Sequence, residues 1–154
     1  MTTSDALADR VAAVLAIPLH RFLGIALLDP QRPAAGLVLD AGEPVLNNAG
    51  MLHGGIVTAL LDVACYLALL EHLGPGENAV THDLSVSLIR PVSRDRQVHV
   101  AGSVVRRGRS IAFLRSAATV DGVVVATAQV TKTLVTTAPV STAPVTTPAV
   151  SPPT

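Results

Sequence analysis

A second cysteine is missing from this chain: Cys65 stands alone among 154 residues, so no intrachain disulfide can form. A single thiol inside an apolar stretch reads as packing rather than as a nucleophile. Tryptophan is absent too, and Phe22, Tyr66 and Phe113 are the whole aromatic complement, which disfavours a pocket walled by rings. Charge is scarce: 14% of residues are charged, and 11 Lys and Arg balance 11 Asp and Glu. A net charge of zero argues against nucleic acid as the main partner, with only a local basic patch left open. No run of 18 apolar residues exists, because Thr58 and Asp62 interrupt the best one, so no membrane span is expected. The start, MTTSDALADRVAAV, lacks the basic segment and cleavage region of a signal peptide, which points to a cytoplasmic protein. His20, His72, His82 and His99 show no ligand spacing, so neither a metal site nor a cofactor is expected.

What is present is apolar: 49% of residues, in a chain long enough for one domain with a full core. So little charge on so apolar a chain implies that part of the surface is covered, most simply by a second copy. Residues 1–135 read as the folded domain. Ser4 suits an N-cap for a short helix, DALADRVAAVLA, closed by Pro18. FLGIALLD and GLVLDAG read as strands flanking the turn DPQRP. A long apolar helix follows from about Gly55, ended by LGPGEN with Gly74 near its C′ position. The second half is strand-like: AVTHDLSVSLIRP, RQVHVAGSVV, SIAFLRSAATV and VVVATAQVTKTLV, with Asp121-Gly122 a hairpin signal. Short turns between them predict an antiparallel meander. From 136 to 154 the chain is Pro/Thr/Ala/Val/Ser without charge or periodicity, the composition of a disordered tail.

The chemistry concentrates in residues 47–74, NNAGMLHGGIVTALLDVACYLALLEHLG. The helix is apolar nearly all round, so it should be buried on most sides, and one such helix with about six strands suggests a sheet curled around it. Asp62 interrupts it. Either it is a satisfied buried acid or it faces a ligand; the two readings stand level on the residues alone. His53-Gly54-Gly55 opens the helix. Glycines allow close backbone approach, and the first helical N–H groups carry partial positive charge suited to an anion or a developing oxyanion. Gly54 and Asp62 are eight residues apart, a rise of roughly 12 Å. One helix therefore cannot bring both to a single reacting carbon, and a shared substrate requires two chains.

Asn47, the run GMLHGG, Asp62, THDLSVSLIRP and VVRRGRS together resemble the hotdog-fold acyl-CoA thioesterases, of the phenylacetate-pathway (PaaI-type) branch, over about residues 16 to 134. The resemblance implies an α+β fold: an antiparallel sheet of about six strands wrapped around one long helix, with a short N-terminal helix. It implies two protomers sharing a continuous sheet, a homodimer or homotetramer, and hydrolysis of an acyl-CoA at the interface. In that family Gly54 would polarise the thioester carbonyl and Asp62 would act as general base or nucleophile. Asn47 would position water or thioester, with Asn48 adjacent and able to take that role. Thr81 stands where the family has a Ser or Thr that orients the water. His53 would brace the loop, beside Gly55. Arg106, Arg107, Arg109 and Ser110 at one turn, with Arg90 before them, would meet the CoA phosphates, although a solvated hairpin tip explains the same cluster. The alternatives are a non-catalytic acyl-CoA-binding module and, with less support, an enoyl-CoA hydratase. The acyl group, whether aliphatic, phenylacetyl-type or aryl, stays open.

Overall fold

The computed structural model describes residues 3–136. Residues 137–154, nearly all of the expected tail, lie outside them; Thr136 itself ends a strand.

The helix α3 (Gly54–Leu70) is the axis of the fold. Val57, Leu60, Leu61, Ala64, Cys65 and Leu67 to Leu70 are all buried, so one face is covered along the whole helix and every side of its last turn, while Thr58, Ala59, Asp62, Val63 and Tyr66 on the opposite face are half-buried. Each larger buried side chain contributes on the order of 2 kcal/mol by leaving water. Burial pushes the Cys65 thiol up, in keeping with a packing role. Around α3 curls one antiparallel sheet of six strands: β1 (Ala26–Leu27), β2 (Leu37–Asp40), β3 (Glu77–Leu88), β4 (Gln97–Arg107), β5 (Ile111–Val120) and β6 (Val123–Thr136), in the order β1-β2-β4-β5-β6-β3. The α+β hotdog arrangement expected from the resemblance is the one the chain adopts. No helix among the described residues is long and apolar enough to cross a membrane.

The alternation along the late strands places their inner faces as expected. Val98 and Val100 of β4, Ala112 and Leu114 of β5, and Ala126, Ala128 and Val130 of β6 all face the core. The hairpin at Asp121-Gly122 is present, with both residues at positive φ as a tight turn requires.

Four local expectations are corrected. The helix α1 spans Thr3–Leu15, so Ser4 falls inside it. Pro18 does not merely close α1; it opens a second helix, α2 (Pro18–Leu23), where its fixed φ suits the first turn, and Gly24 in the left-handed region ends it. That helix takes the first residues of FLGIALLD and leaves only Ala26–Leu27 as strand. At the other end α3 stops at Leu70, capped by Glu71, before Gly74 is reached. Finally, the late strands are not one meander. β4, β5 and β6 follow one another, but β3 pairs with β6 at the far edge of the sheet. Residues 89–96 make the crossover between β3 and β4. They also anchor the approach to α3, since Leu52 donates its N–H to the Val92 carbonyl at 2.8 Å.

Helix and sheet meet most closely at Gly102 of β4. A Cβ there would lie 2.4 Å from the Ala64 carbonyl oxygen and 2.8 Å from the Cys65 nitrogen, both backbone atoms of α3. Neither can swing aside as a side chain can. Gly102→Ala should therefore push α3 off the sheet and destabilise the fold by about 2 kcal/mol, read as a lowered midpoint in urea unfolding.

Candidate active site

Asp62 projects from the middle of α3 towards β3 and β6. Its carboxylate is not the buried charge that the helix pattern implied: its side chain retains 29% exposure. The buried charge is its partner. Lys132, 2% exposed, donates from Nζ to Asp62 Oδ1 at 2.7 Å and to Thr81 Oγ1 at 2.8 Å. Thr81 lies 2.8 Å from Oδ1 and 3.0 Å from Oδ2 of the same carboxylate. Register explains the meeting, because Thr81 of β3 and Lys132 of β6 are directly paired across the sheet. The Lys132 ammonium also lies 5.6 Å from the centre of the Tyr66 ring, within cation–π range, and the Tyr66 hydroxyl donates to Asn78 Oδ1 at 2.5 Å.

Lys132 carried no signal in the motifs. It is nevertheless the only lysine; the other ten of the 11 cationic Lys and Arg residues are arginine. It also has the same parity as Ala128 and Val130, which face inward. A unique cation in the inward register of a strand is the feature that could have revealed it. Tyr66 and Asn78 join the site for the same reason: only the closed sheet brings them beside it.

Asp62, Thr81, Tyr66 and Lys132 lie at one side of a cavity of about 1040 Å³. The rest of the lining combines aliphatic residues, among them Leu7, Val14 and Ile17 from the N-terminal segment and Val63 and Leu70 of α3, with polar ones that include Arg10, Glu71 and Glu77. Arg10 of α1 fastens that segment by donating to the Glu77 carbonyl at 2.7 Å.

The start of α3 holds the second group. His53 is its N-cap, and its Nδ1 accepts the Gly55 N–H at 2.9 Å. Gly55 is thereby committed, whereas the Gly54 N–H has no partner among the described residues. Asn47 shapes the preceding turn: its Oδ1 accepts from Ala49 N–H at 2.9 Å and Met51 N–H at 3.1 Å. Asn48 is exposed on that turn.

The arginines do not form one cluster. Strand alternation sends Arg106 and Arg107 to opposite faces, opposite exposed Phe113 and buried Ala112 respectively, and the bulge between Val104 and Arg106 sets which face each takes. Arg107 binds Glu77 at 2.6 Å, and Gly74's N–H, then Arg107, hold that carboxyl below its usual range. Arg90 donates to the Val124 carbonyl at 2.7 Å. Arg106, Arg109 and Ser110 are exposed and their side chains have no partner among the described residues. No group of His, Cys, Asp and Glu among the described residues could hold a metal.

Residues 49–116 match the thioesterase superfamily. The chain is similar to the Saccharolobus solfataricus esterase candidate SSO2140, 24% identical over 93 residues. That match covers 60% of this chain and 65% of the relative, just under two thirds of its length. Among solved structures it is similar to the Bacillus halodurans protein BH2602, crystallised with CoA: TM-score 0.72, 24% identity, 85% of this chain and 84% of the other. A phenylacetic acid degradation-related protein from Ralstonia eutropha JMP134 gives 0.68 at 26% identity, covering 82% and 98%. The E. coli PaaI protein gives 0.74 at 18%, covering 86% and 96%. The likeness to PaaI-type hotdog thioesterases read from the sequence therefore holds.

The ion pair makes a stability prediction. Asp62→Asn leaves the Lys132 ammonium buried without its counter-ion and should destabilise the fold by about 2 kcal/mol. Adding Lys132→Met should restore the lost stability, measured by the same unfolding curves.

Proposed function

We propose that this hotdog-fold chain is a thioester hydrolase that cleaves an acyl-CoA into free acid and CoA at a site shared by two protomers. The observation that carries the reading is a pair of groups on one rigid helix. An unpartnered N–H at Gly54 opens α3, and a carboxylate at Asp62 meets the cavity two turns further on. Because roughly 12 Å of helix separates them, each must work with its counterpart from a second copy. Gly54 of one protomer polarises the thioester carbonyl. Asp62 of the other takes the proton from an attacking water, or attacks the carbonyl itself. The oxyanion rests on the Gly54 N–H until the C–S bond breaks and the CoA thiolate leaves and is protonated; where Asp62 itself attacks, water then hydrolyses the resulting anhydride to free acid and restores the carboxylate.

The surface beside Gly54 supports a dimer. β3 is an edge strand with its outer backbone edge unpaired, and Leu88, 56% exposed, sits over Gly54, where a Cβ would meet its Cδ1 at 2.6 Å. Val80 and Ile89 add exposed apolar area to the same segment. The cavity supports an aliphatic acyl group, since Tyr66 is its one aromatic wall. Arg106 and Arg109, whose side chains have no partner among the described residues, suit the CoA phosphates. Asn47 keeps its amide nitrogen for water or thioester while its oxygen holds the loop.

Two tests follow from the half-site arrangement. Thiol release from a panel of aliphatic, phenylacetyl and benzoyl CoA esters should show turnover, highest for an aliphatic ester. Asp62→Asn/Lys132→Met, chosen to keep the fold, should lose it by at least about 1000-fold. Turnover on none of the esters, with CoA esters still bound, would favour a binding module.

The second test removes the Gly54 N–H. Gly54 is the first residue of α3, and His53 before it is extended at φ −64°, ψ 128°, so proline fits both backbone constraints and deletes the N–H, while its ring displaces the end of the exposed Leu88 side chain. Gly54→Pro should fold and lose about 100-fold or more in kcat. Unfolded and refolded together, it and the Asp62 variant should recover about a quarter of wild-type activity, because half of random dimers are mixed and each has one intact site. A site within one chain would recover nothing.

A further inference from the structure

We propose that Lys132 is a positioning residue: it fixes one oxygen of Asp62 and the hydroxyl of Thr81, and so selects the other oxygen, Oδ2, as the one that meets substrate. The inference rests on the thioester-hydrolase reading and deepens it.

The fold itself has little use for a lysine there. The inward positions before it on β6, Ala128 and Val130, are apolar, and a hydrophobic side chain of similar length would fill the slot without desolvating an ammonium. At 2% exposure Lys132 is also too enclosed to be a surface ion pair. What it does have is a set of specific contacts, Oδ1 of Asp62 at 2.7 Å, Oγ1 of Thr81 at 2.8 Å and the Tyr66 ring face.

Those contacts distinguish the two carboxylate oxygens. Oδ1 accepts the charge-assisted bond from Lys132. Thr81 has one hydroxyl proton, and its oxygen already accepts from Lys132, so that proton must go to the carboxylate, nearer to Oδ1 at 2.8 Å than to Oδ2 at 3.0 Å. Oδ2 is left with free lone pairs. Lys132 sits on β6, between β5 and β3, a strand paired on both sides. Held from such a strand, the carboxylate cannot turn to present Oδ1 instead. Thr81 thus becomes a strut between Lys132 and Asp62 as much as a water-orienting hydroxyl. At 2% exposure, with its ammonium committed to Asp62 and Thr81, Lys132 acts through Asp62.

The test compares Lys132→Met, Lys132→Ala and wild type on the best ester from the panel. Lys132→Met should keep its unfolding midpoint, because the carboxylate it frees is already partly hydrated. It should lose about 100-fold in kcat while KM changes by less than about threefold, the pattern of a misplaced reactive group. Lys132→Ala opens a hole beside the cavity, and propylammonium at tens of millimolar should restore at least about tenfold in kcat, whereas 1-butanol of similar size should restore none. Either of two outcomes overturns the inference: kcat of Lys132→Met within about twofold of wild type, or recovery by the alcohol as large as by the amine, which would make the role packing. Should Lys132→Ala not fold, the kcat and KM of Lys132→Met decide alone. Absence of wild-type turnover would sink the hydrolase reading and this inference together; normal wild-type turnover with an unaffected Lys132→Met sinks only this one.

Discussion

A buried ammonium needs an anion, and in this protein that single requirement joins three separate elements. Lys132 is fixed by β6, Asp62 by α3 and Thr81 by β3, and the four contacts among them lie between 2.7 and 3.0 Å. Breaking a buried pair from one side costs far more than never having built it. The carboxylate is thus tied to stability through its partner, and the partner is tied to the sheet. It follows that loss of turnover on changing Asp62 alone does not isolate chemistry, since the same change strands a charge. Only a pair of changes separates the two.

The same contacts explain which parts of the protein could be read in advance. α3 was legible because its pattern is local: seventeen residues, apolar nearly all round, opened by His53-Gly54-Gly55. The hairpin at Asp121-Gly122 was legible for the same reason. The position of β3 was not, because whether it pairs with β4 or with β6 depends on contacts far apart in sequence, and nothing in THDLSVSLIRP marks its partner. Pro18 misled because a proline reads equally well as the stop of one helix and the first turn of the next.

At the site the division is sharper. Gly54, His53, Asn47, Asp62 and Thr81 belong to motifs and were named from them. Lys132 belongs to no motif. In TKT it looks like one more polar residue near a strand end, and its meaning comes from register alone, which sets it opposite Thr81 and under Asp62. The arginine turn failed in the opposite direction. RRGRS looks like one basic cluster, but Arg106 and Arg107 point to opposite faces of β4, and Glu77 claims one of them. Clusters in sequence on a strand are seldom clusters in space, because side chains alternate.

Placing both proposed reacting groups on α3 has a further consequence. A continuous helix is nearly rigid over two turns, so the Gly54 to Asp62 vector within a protomer hardly changes. In the proposed dimer the distance that matters, from Gly54 of one protomer to Asp62 of the next, would be set by how two copies of α3 dock. Errors in that docking move both half-sites together, in equal and opposite senses about the symmetry axis. Such a site is accurate only if α3 is held firmly, and three elements already described hold it: the Asn47 turn, the Leu52 to Val92 bond on the approach, and the Lys132 strut behind Asp62. The first two fix the chain that enters the helix, and the third ties its middle to β6. The β3 edge, which carries Thr81 and Leu88 on that same sheet, would in turn carry the position of one protomer to the other. On this argument the sheet is the ruler against which both halves of the site are set, and the helix is the bar that transfers the measurement between them.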